Sequence, residues 1–117
     1  MIIKVVNDFT DTPGARYESQ GPNSGEQFRN EILYPKFIES QNNKEELIVD
    51  LDGGYGYGSS FLEESFGGLV RRLAAEKYKN ISNVRNIKII SYDNPVWVEK
   101  ISGYIDSALL NSKKGAK

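Results

Sequence analysis

The chain has 117 residues, a length that fits a single domain over residues 1–117. It contains no cysteine and no histidine, which excludes disulfides, thiolate chemistry and cysteine-ligated zinc and removes the commonest general base. With 15 basic and 16 acidic residues and no apolar run near the length of a membrane helix, the chain is expected to be cytoplasmic and to bind neither nucleic acid nor membrane.

The first part of the chain predicts a strand, a turn and a second strand. Residues 2–6 are apolar and mostly β-branched, as short buried strands are. Residues 11–14 form the turn sequence Asp-Thr-Pro-Gly. Residues 15–19 are expected to return as a short strand antiparallel to the first.

A helix is predicted to begin at Gly25. Ser24 stands at the N-cap position, and the side chain of Gln27 is expected to reach back to Ser24 in a capping box. Pro35 is expected to kink or end this helix, with residues 36–41 as a continuation.

The clearest strand and the clearest helix follow. Residues 47–51 are apolar at nearly every position, which is typical of a strand covered on both faces of a sheet. Residues 60–78 carry an apolar stripe at helical spacing, and Ser60-Phe61-Leu62-Glu63 predicts a capping box at their start. The pair Gly67-Gly68 weakens a helix, and we interpret it as a point of close packing against the sheet.

The last part of the chain predicts one more strand and one more helix. Residues 87–91 are a buried strand, and Asn94-Pro95 is a typical helix start. One face of this helix is apolar: Trp97, Ile101, Tyr104, Ile105 and Ala108. The basic tail, residues 113–117, is interpreted as a frayed terminus. Strands that alternate with helices imply right-handed crossovers, so we predict an α/β fold with a four-stranded, mixed but mostly parallel sheet packed with helices.

The segment from Asp50 to Ser60 is best suited to carry chemistry. It joins a buried strand to a helix start through a loop with four glycines in six positions, residues 53–58, and ligands of open α/β sheets gather at the carboxyl ends of strands. The two tyrosines of the loop, Tyr55 and Tyr57, either stack on a partner or fold onto the core. Three chemical interpretations follow.

The first interpretation is binding of a nucleotide or another small ligand at the loop 53–58. Gly53, Gly58 and the two serines after it approach a phosphate-binding loop, but the lysine of that motif is absent. The predicted capping box also occupies the amides of the helix start, which argues against a permanent phosphate site.

The second interpretation is Mg²⁺-dependent phosphoryl transfer by Asp50 and Asp52. Asp50-Leu51-Asp52-Gly53 resembles the opening signature of the haloacid dehalogenases, and Ser91 resembles their second motif. That chemistry also needs a lysine and further acidic residues, and no later strand is predicted that would carry them. A strand-end cap and a turn residue are simpler roles for the two aspartates.

The third interpretation is a phosphorylation switch. Ser60 is assigned to capping, which leaves Ser59 as the hydroxyl at the loop–helix junction. A phosphate adds nearly two negative charges. Repulsion from Glu63 and Glu64 would then displace a partner or rearrange the loop. Both serines are equally suited to be ordinary polar loop residues.

Several motifs resemble the STAS family, which includes bacterial anti-sigma-factor antagonists. Asp50-Leu51 followed by Gly58-Ser59-Ser60-Phe61-Leu62 resembles that family's strand end and its Asp-Ser-Ser-Gly-Leu helix start. A more specific resemblance, over residues 8–69, is to a STAS-like subfamily of undefined function. Its motifs are Asp8-Phe9-Thr10, Pro13-Gly14-x-Arg16, Ser24-Gly25-Glu26-x-Phe28 and Ser60-Phe61-Leu62-Glu63-Glu64-x-Phe66-Gly67-Gly68-Leu69.

The resemblance implies a regulatory protein-binding module rather than an enzyme, and we expect no catalytic residue, cofactor or metal. It implies a protein partner, a histidine-kinase-type ATPase that phosphorylates the serine corresponding to Ser59, although the aspartate before that serine is Gly58 here. Arg16 is equally suited to a structural ion pair with Glu26 or Asp50. The expected partner-binding residues are Asp52, Gly54, Tyr55, Gly56, Tyr57, Gly58, Ser59 and Arg16, and the candidate phosphoacceptors are Ser59 and Ser60.

Overall fold

A three-stranded parallel sheet forms the base of the fold. The computed structural model describes residues 1–115, with side chains as far as Lys113. The strands are β1 (Ile2–Lys4), β2 (Ile48–Asp50) and β3 (Lys88–Ile90), and β2 lies between the other two. Both pairings are parallel. The α/β class and the parallel sheet are confirmed, but the described residues contain three strands instead of the four predicted.

The predicted second strand, residues 15–19, is wrong. The chain leaves β1 through a single helical turn, α1 (Val5–Asp8), and then runs irregularly, with one 3₁₀ turn at Glu18–Gln20. The carbonyls of Ala15 and Arg16 accept hydrogen bonds from the amides of Gly25 and Glu26, at 2.9 and 3.0 Å. These carbonyls therefore satisfy the first amides of a helix instead of extending the sheet.

The first long helix covers residues 25–43. It consists of α2 (Gly25–Phe28), a π-helical turn (Arg29–Leu33) and α3 (Tyr34–Asn43). Ser24 is its N-cap, as predicted, because its Oγ accepts the amide of Gln27 at 3.0 Å. The Gln27 side chain accepts the amide of Asn23 instead of that of Ser24.

Pro35 does not end this helix. The π-helical turn Arg29–Leu33 immediately precedes α3, and the proline lies in the first turn of α3. Proline has no N–H to donate and its ring crowds the carbonyl four residues before it. A widened turn at this point lets the helix continue, as π-helical turns do inside α-helices.

The second long helix, called the central helix below, covers residues 59–75. It consists of α4 (Ser59–Leu62), a π-helical turn (Glu63–Gly67) and α5 (Gly68–Ala75). A 3₁₀ segment, Ile81–Asn86, leads into β3. The last helix, α6 (Val96–Gly115), begins beside the predicted Asn94-Pro95 start. Of the basic tail predicted to be frayed, residues 113–115 belong to this helix, and the last two residues lie outside the described part.

All three long helices cover the same face of the sheet. The first long helix and α6 both contact the central helix, which lies between them. Two right-handed crossovers that advance in one direction across a sheet place their helices on one face. The central helix is consequently the most buried element, and six of its apolar side chains are fully buried: Phe61, Leu62, Phe66, Leu69, Val70 and Leu73.

The sheet contributes to the core through one face only. Ile3 and Val49 belong to the core cluster and Ile89 packs against it. Ile48, which points to the opposite face of β2, is half-buried and lies outside the cluster. The prediction that this strand is covered on both faces is therefore wrong. The predicted apolar face of α6 is confirmed, because Ile101, Ile105 and Ala108 are buried.

Within residues 1–115, no helix combines the length and the apolar character that a membrane crossing requires.

Candidate functional site

The glycine-rich loop after β2 is fixed at two points. The amide of Gly53 donates to Asp93 Oδ2 at 2.9 Å, and the amide of Tyr55 donates to the carbonyl of Asp11 at 3.1 Å. Gly53 and Gly56 have φ of 96° and 107°, a region that residues with a Cβ rarely adopt. The glycines therefore set the path of the loop, and its hydrogen bonds hold that path in place.

The two aspartates of the candidate phosphoryl-transfer site are turn residues. Asp50 Oδ1 accepts the amide of Asp52 at 2.9 Å. The carboxylate oxygens of Asp52 accept the amides of Tyr92 and Asp93, at 3.0 and 2.9 Å. These bonds join the loops that follow β2 and β3. Within the described residues, no group of three or more acidic side chains is arranged to hold a metal ion.

The two tyrosines of the loop have different environments. The Tyr55 side chain is 87% exposed. The Tyr57 ring is half-buried 5.9 Å from the ring of Phe61, and its hydroxyl donates to the carbonyl of Leu51 at 3.0 Å. Burial raises the pKa of Tyr57, and the charges of Asp50 and Asp52 raise it further. Only Tyr55 is presented to water.

The start of the central helix has no side-chain cap. Gly58 occupies the N-cap position, and Ser59 and Ser60 follow it with exposed side chains. The predicted capping box between Ser60 and Glu63 is wrong, because Glu63 is bound by arginines. The argument that the protein's own side chains occupy the amides of this helix start therefore fails. Both serine hydroxyls face water.

Glu63 and Glu64 form an ion-paired cluster with three arginines. Arg16 Nη1 lies 2.5 Å from Glu63 and 3.3 Å from Glu64, and Arg71 lies 2.8 Å from Glu63. Arg29 pairs with Glu64, which is only 6% exposed. We call these five residues the arginine–glutamate cluster. The predicted partners of Arg16, Glu26 and Asp50, are wrong, but its interpretation as a structural ion pair is confirmed.

The electrostatics of the cluster favour its charged forms. The hydrogen bond from Arg71 is the largest effect and lowers the pKa of Glu63; burial opposes it, and the weaker effect of the hydrogen bond from Arg16 lowers the pKa further. The bond to Glu63 is the largest effect that raises the pKa of Arg16, and the same holds for Arg71. Three guanidinium groups surround two carboxylates, so the cluster carries one net positive charge.

The glycine pair of the central helix makes room for this cluster. A Cβ on Gly68 would lie 2.6 Å from Arg29 Nη1 and 3.0 Å from Glu64 Oε2, and one on Gly67 would meet the Glu63 carboxylate. The interpretation of Gly67-Gly68 as a contact with the sheet is therefore wrong. The close approach of two backbones occurs at Gly25, where a Cβ would collide with the carbonyl of Phe61. Gly67 follows Glu63 by four residues, and Gly68 follows Glu64 by four residues. That spacing is the sequence signal that could have predicted the contact between these glycines and the glutamates.

All the predicted site residues except Tyr55, which lines neither, divide between two cavities. Arg16, Gly58, Ser59 and Ser60 line one of about 500 Å³, together with Tyr17 and Gln20. A smaller cavity of about 160 Å³ lies between the loops after β2 and β3. It is lined by Asp52, Gly54, Gly56 and Tyr57, and by Ser91, Asp93 and Trp97. The contributions of Tyr17, Gln20 and Asp93 were missed, because no motif marks them.

Comparison with protein families matches residues 24–97 to the STAS-like domain of unknown function. The matched segment is well over half of the chain and runs from the cap of the first long helix to the first turn of α6. Neither the curated proteins nor the solved structures contain a match. The matched residues include the glycine-rich loop and the two glutamates of the arginine–glutamate cluster. The chain belongs to the family of STAS-like domains of unknown function.

Proposed function

We propose that the chain is a regulatory protein-binding module of the cytoplasm, not an enzyme, and that phosphorylation of Ser59 switches its binding. The binding surface consists of Tyr55 and the large cavity at Ser59, Ser60 and Arg16. One observation carries the proposal. Tyr55 is 87% exposed on a loop that hydrogen bonds fix at two points, and Ser59 follows at the start of the central helix with an exposed side chain and no capping bond.

The display of Tyr55 supports protein binding. Tyrosine is enriched at protein interfaces because its ring supplies a large contact area. Two hydrogen bonds fix the loop that carries it: the Gly53 amide donates to the Asp93 carboxylate, and the Tyr55 amide donates to the carbonyl of Asp11. A loop ordered in advance loses less conformational entropy when a partner binds.

The roles of the aspartates support a non-enzymatic function. The carboxylate oxygens of Asp52 already accept backbone amides, and Asp50 caps the same turn. The adjacent cavity of about 160 Å³ is smaller than the roughly 300 Å³ at which small-molecule sites begin. Its carboxylates, Asp52 and Asp93, would also repel the phosphates of a nucleotide.

The electrostatics of the helix start support a switch at Ser59. A phosphate there would add nearly two negative charges at a helix N-terminus, where negative charge is favoured. Glu63 and Glu64 are compensated by arginines, so they would not repel it as the sequence suggested. Arg16 borders the same cavity and would be drawn toward the phosphate. The modification would reverse the charge that a partner meets.

The partner class comes from the family resemblance, which implies a histidine-kinase-type ATPase. We would incubate the protein with such an ATPase and Mg²⁺-ATP and map the modification by mass spectrometry. The expected product carries one phosphate on Ser59. The proposed switch is wrong if Ser59 stays unmodified, or if the label lies on Ser60 alone.

Binding of the same ATPase tests the surface. Ser59→Asp is expected to weaken binding at least about tenfold because it adds a negative charge at the interface. Ser60→Asp, which adds the same charge one residue later, is expected to have a smaller effect. Tyr55→Ala is expected to weaken binding without unfolding the protein, because its side chain contacts mainly water. Unchanged affinity in both Ser59→Asp and Tyr55→Ala would exclude this surface.

A further inference from the structure

The parallel sheet has a second face that lies away from the helices. Side chains alternate between the two faces of a strand, and Ile3, Val49 and Ile89 point toward the core. The residues on either side of them therefore point the opposite way. We call this the outer face, and it consists of Ile2, Lys4, Ile48, Asp50, Lys88 and Ile90.

Three of the six residues of the outer face are isoleucines, and in the described part of the chain they are exposed to different extents. Ile2 is 64% exposed. Ile48 and Ile90 are half-buried, but none of the three isoleucines belongs to the core or packs against it. Parallel sheets occur almost only with both faces covered, usually by helices. Ile2 and Ile48 are neighbours in register and Ile90 lies diagonal to Ile48, and such an apolar patch on a parallel sheet indicates a surface that another element covers.

The dimensions of the outer face favour a single helix as that element. Neighbouring strands lie about 4.8 Å apart, so the three strands are about 10 Å across between the outer two. A helix with its side chains has a diameter of about 10 Å. A second copy of the chain would require about 800 Å² per partner for a stable interface, and three strands of three residues each provide much less.

The charges of the outer face favour an acidic helix. Lys4 and Lys88 are exposed at opposite corners, since Lys88 pairs in register with Ile48 and Lys4 with Asp50. The single acidic group, Asp50, lies on the central strand and accepts the amide of Asp52. The face therefore carries one net positive charge, with Ile2 and Ile48 beside Lys88 in one row and Ile90 beside Asp50 in the other.

We propose that the outer face binds an amphipathic helix of a partner protein, with a short apolar stripe flanked by acidic residues. The isoleucines would contact the stripe, and Lys4 and Lys88 would pair with the carboxylates on its two sides. This surface is separate from the tyrosine and serine surface described above, and the proposal does not depend on the proposed function. An interface of this small area is expected to be weak and reversible.

Two synthetic helical peptides test the proposal. Both carry the same leucine stripe at helical spacing, and the flanking positions are glutamate in one peptide and lysine in the other. Titration of the isotope-labelled protein is expected to shift the amide NMR signals of β1, β2 and β3 with the glutamate peptide. The proposal would be overturned if no binding were detected up to about 1 mM peptide, which corresponds to a binding free energy of roughly 4 kcal/mol. NMR shifts confined to other parts of the protein would overturn it as well.

Charge-reversal variants give the second arm of the test. The double variant K4E/K88E is expected to bind the glutamate peptide at least about tenfold more weakly and the lysine peptide more strongly. The double variant K36E/K79E makes the same change in net charge at other exposed lysines and is expected to behave like the wild type. Equal affinity of the wild type for both peptides would overturn the acidic partner. If sedimentation showed a stable dimer of the wild type that K4E/K88E dissociates, the occupant of the outer face would be a second copy of the chain. The proposal of an acidic partner helix would then be wrong.

Discussion

The first two turns of the central helix use polar side chains in opposite ways. Ser59 and Ser60 open the helix with exposed hydroxyls and no capping bond. Glu63 and Glu64, one turn later, bind three arginines. Arg16 and Arg29 come from parts of the chain 47 and 35 residues away from the glutamates that they bind. The two glutamates, whose partners are distant in sequence, stabilise the fold, whereas the two serines have no capping bond and are available for binding.

Burial explains why the second turn needs these partners. Glu64 is 6% exposed, and a buried carboxylate is costly unless it is paired and hydrogen-bonded. The arginines satisfy it and join the segment around Arg16, the first long helix and the central helix at one point. The comparison between the two turns can be tested by changing one at a time.

The largest effect is expected from Glu64→Ala. The change leaves Arg29, whose side chain is 14% exposed, without its carboxylate partner. Removal of one partner of a buried ion pair costs about 3 kcal/mol or more. Urea denaturation at pH 7 measures the loss of unfolding free energy.

Glu76→Ala is the matched control for that prediction. Glu76 also pairs with an arginine, Arg72, but its side chain is 43% exposed. The expected loss is below about 1 kcal/mol, as for most surface ion pairs. Equal losses in the two variants would show that the cluster contributes no more than a surface pair.

The next largest effect is expected from Gly68→Ala. Alanine normally stabilises a helix by about 1 kcal/mol relative to glycine. At Gly68 the new methyl group would lie 2.6 Å from Arg29 Nη1 and would displace the guanidinium from Glu64. We expect a net loss of about 1–2 kcal/mol, measured as a lower midpoint of thermal or urea unfolding.

Gly103→Ala supplies the contrast within α6. Nothing lies within 4 Å of a Cβ at Gly103, so the change is expected to stabilise the protein by up to about 1 kcal/mol. If Gly68→Ala also stabilised the protein, the glycine pair would not be needed for the cluster.

A smaller effect is expected in the pH dependence of stability. The pKa of Glu63 is lowered in the folded protein from its ordinary value of 4.5, chiefly by Arg71. A lowered folded pKa contributes stability that is present above the unfolded pKa and disappears as the pH falls through the folded value. The stability difference between the wild type and Glu63→Gln is therefore expected to be largest at pH 7 and to shrink below about pH 4.

Urea denaturation of both proteins at several pH values measures this difference. The salt dependence provides an independent check, because added salt weakens exposed pairs more than buried ones. A difference that stays constant down to pH 3 (roughly one unit below the usual pKa) would show that the ionised form of Glu63 is not the one that stabilises the fold.

Local patterns were sufficient to predict most of the fold. The apolar run around Val49, the cap at Ser24 and the Asn94-Pro95 start depend on neighbouring residues, and each was located within a residue or two. The return strand at residues 15–19 failed because the carbonyls of that segment satisfy a helix start that begins six residues after it. Such pairing follows from tertiary arrangement, which propensity does not determine.

The candidate site was predicted only in part, because some of its contacts also depend on the tertiary arrangement. The loop composition correctly marked Tyr55 and Ser59 as exposed residues at the end of a strand. The capping box at Ser60 and Glu63 matched a local pattern, but Arg16 and Arg71 compete for the same carboxylate and bind it. A guanidinium carries the charge opposite to that of the carboxylate and can bind it through two N–H groups, which a backbone amide cannot. Only the folded arrangement reveals that competitor.

The smallest effect is expected at Ser59. It tests whether the Ser59 hydroxyl, in the first turn of the central helix, has a structural partner. Ser59→Ala removes a hydroxyl that caps nothing, so the unfolding free energy is expected to change by less than about 0.5 kcal/mol. Ser59→Asp places a negative charge in the first helical turn and is expected to stabilise the protein by about 0.3–1 kcal/mol at low salt. Both values come from urea denaturation. A loss above about 1 kcal/mol in Ser59→Ala would mean that the hydroxyl has a structural partner, and a residue with such a partner could not serve as a switch without weakening the fold.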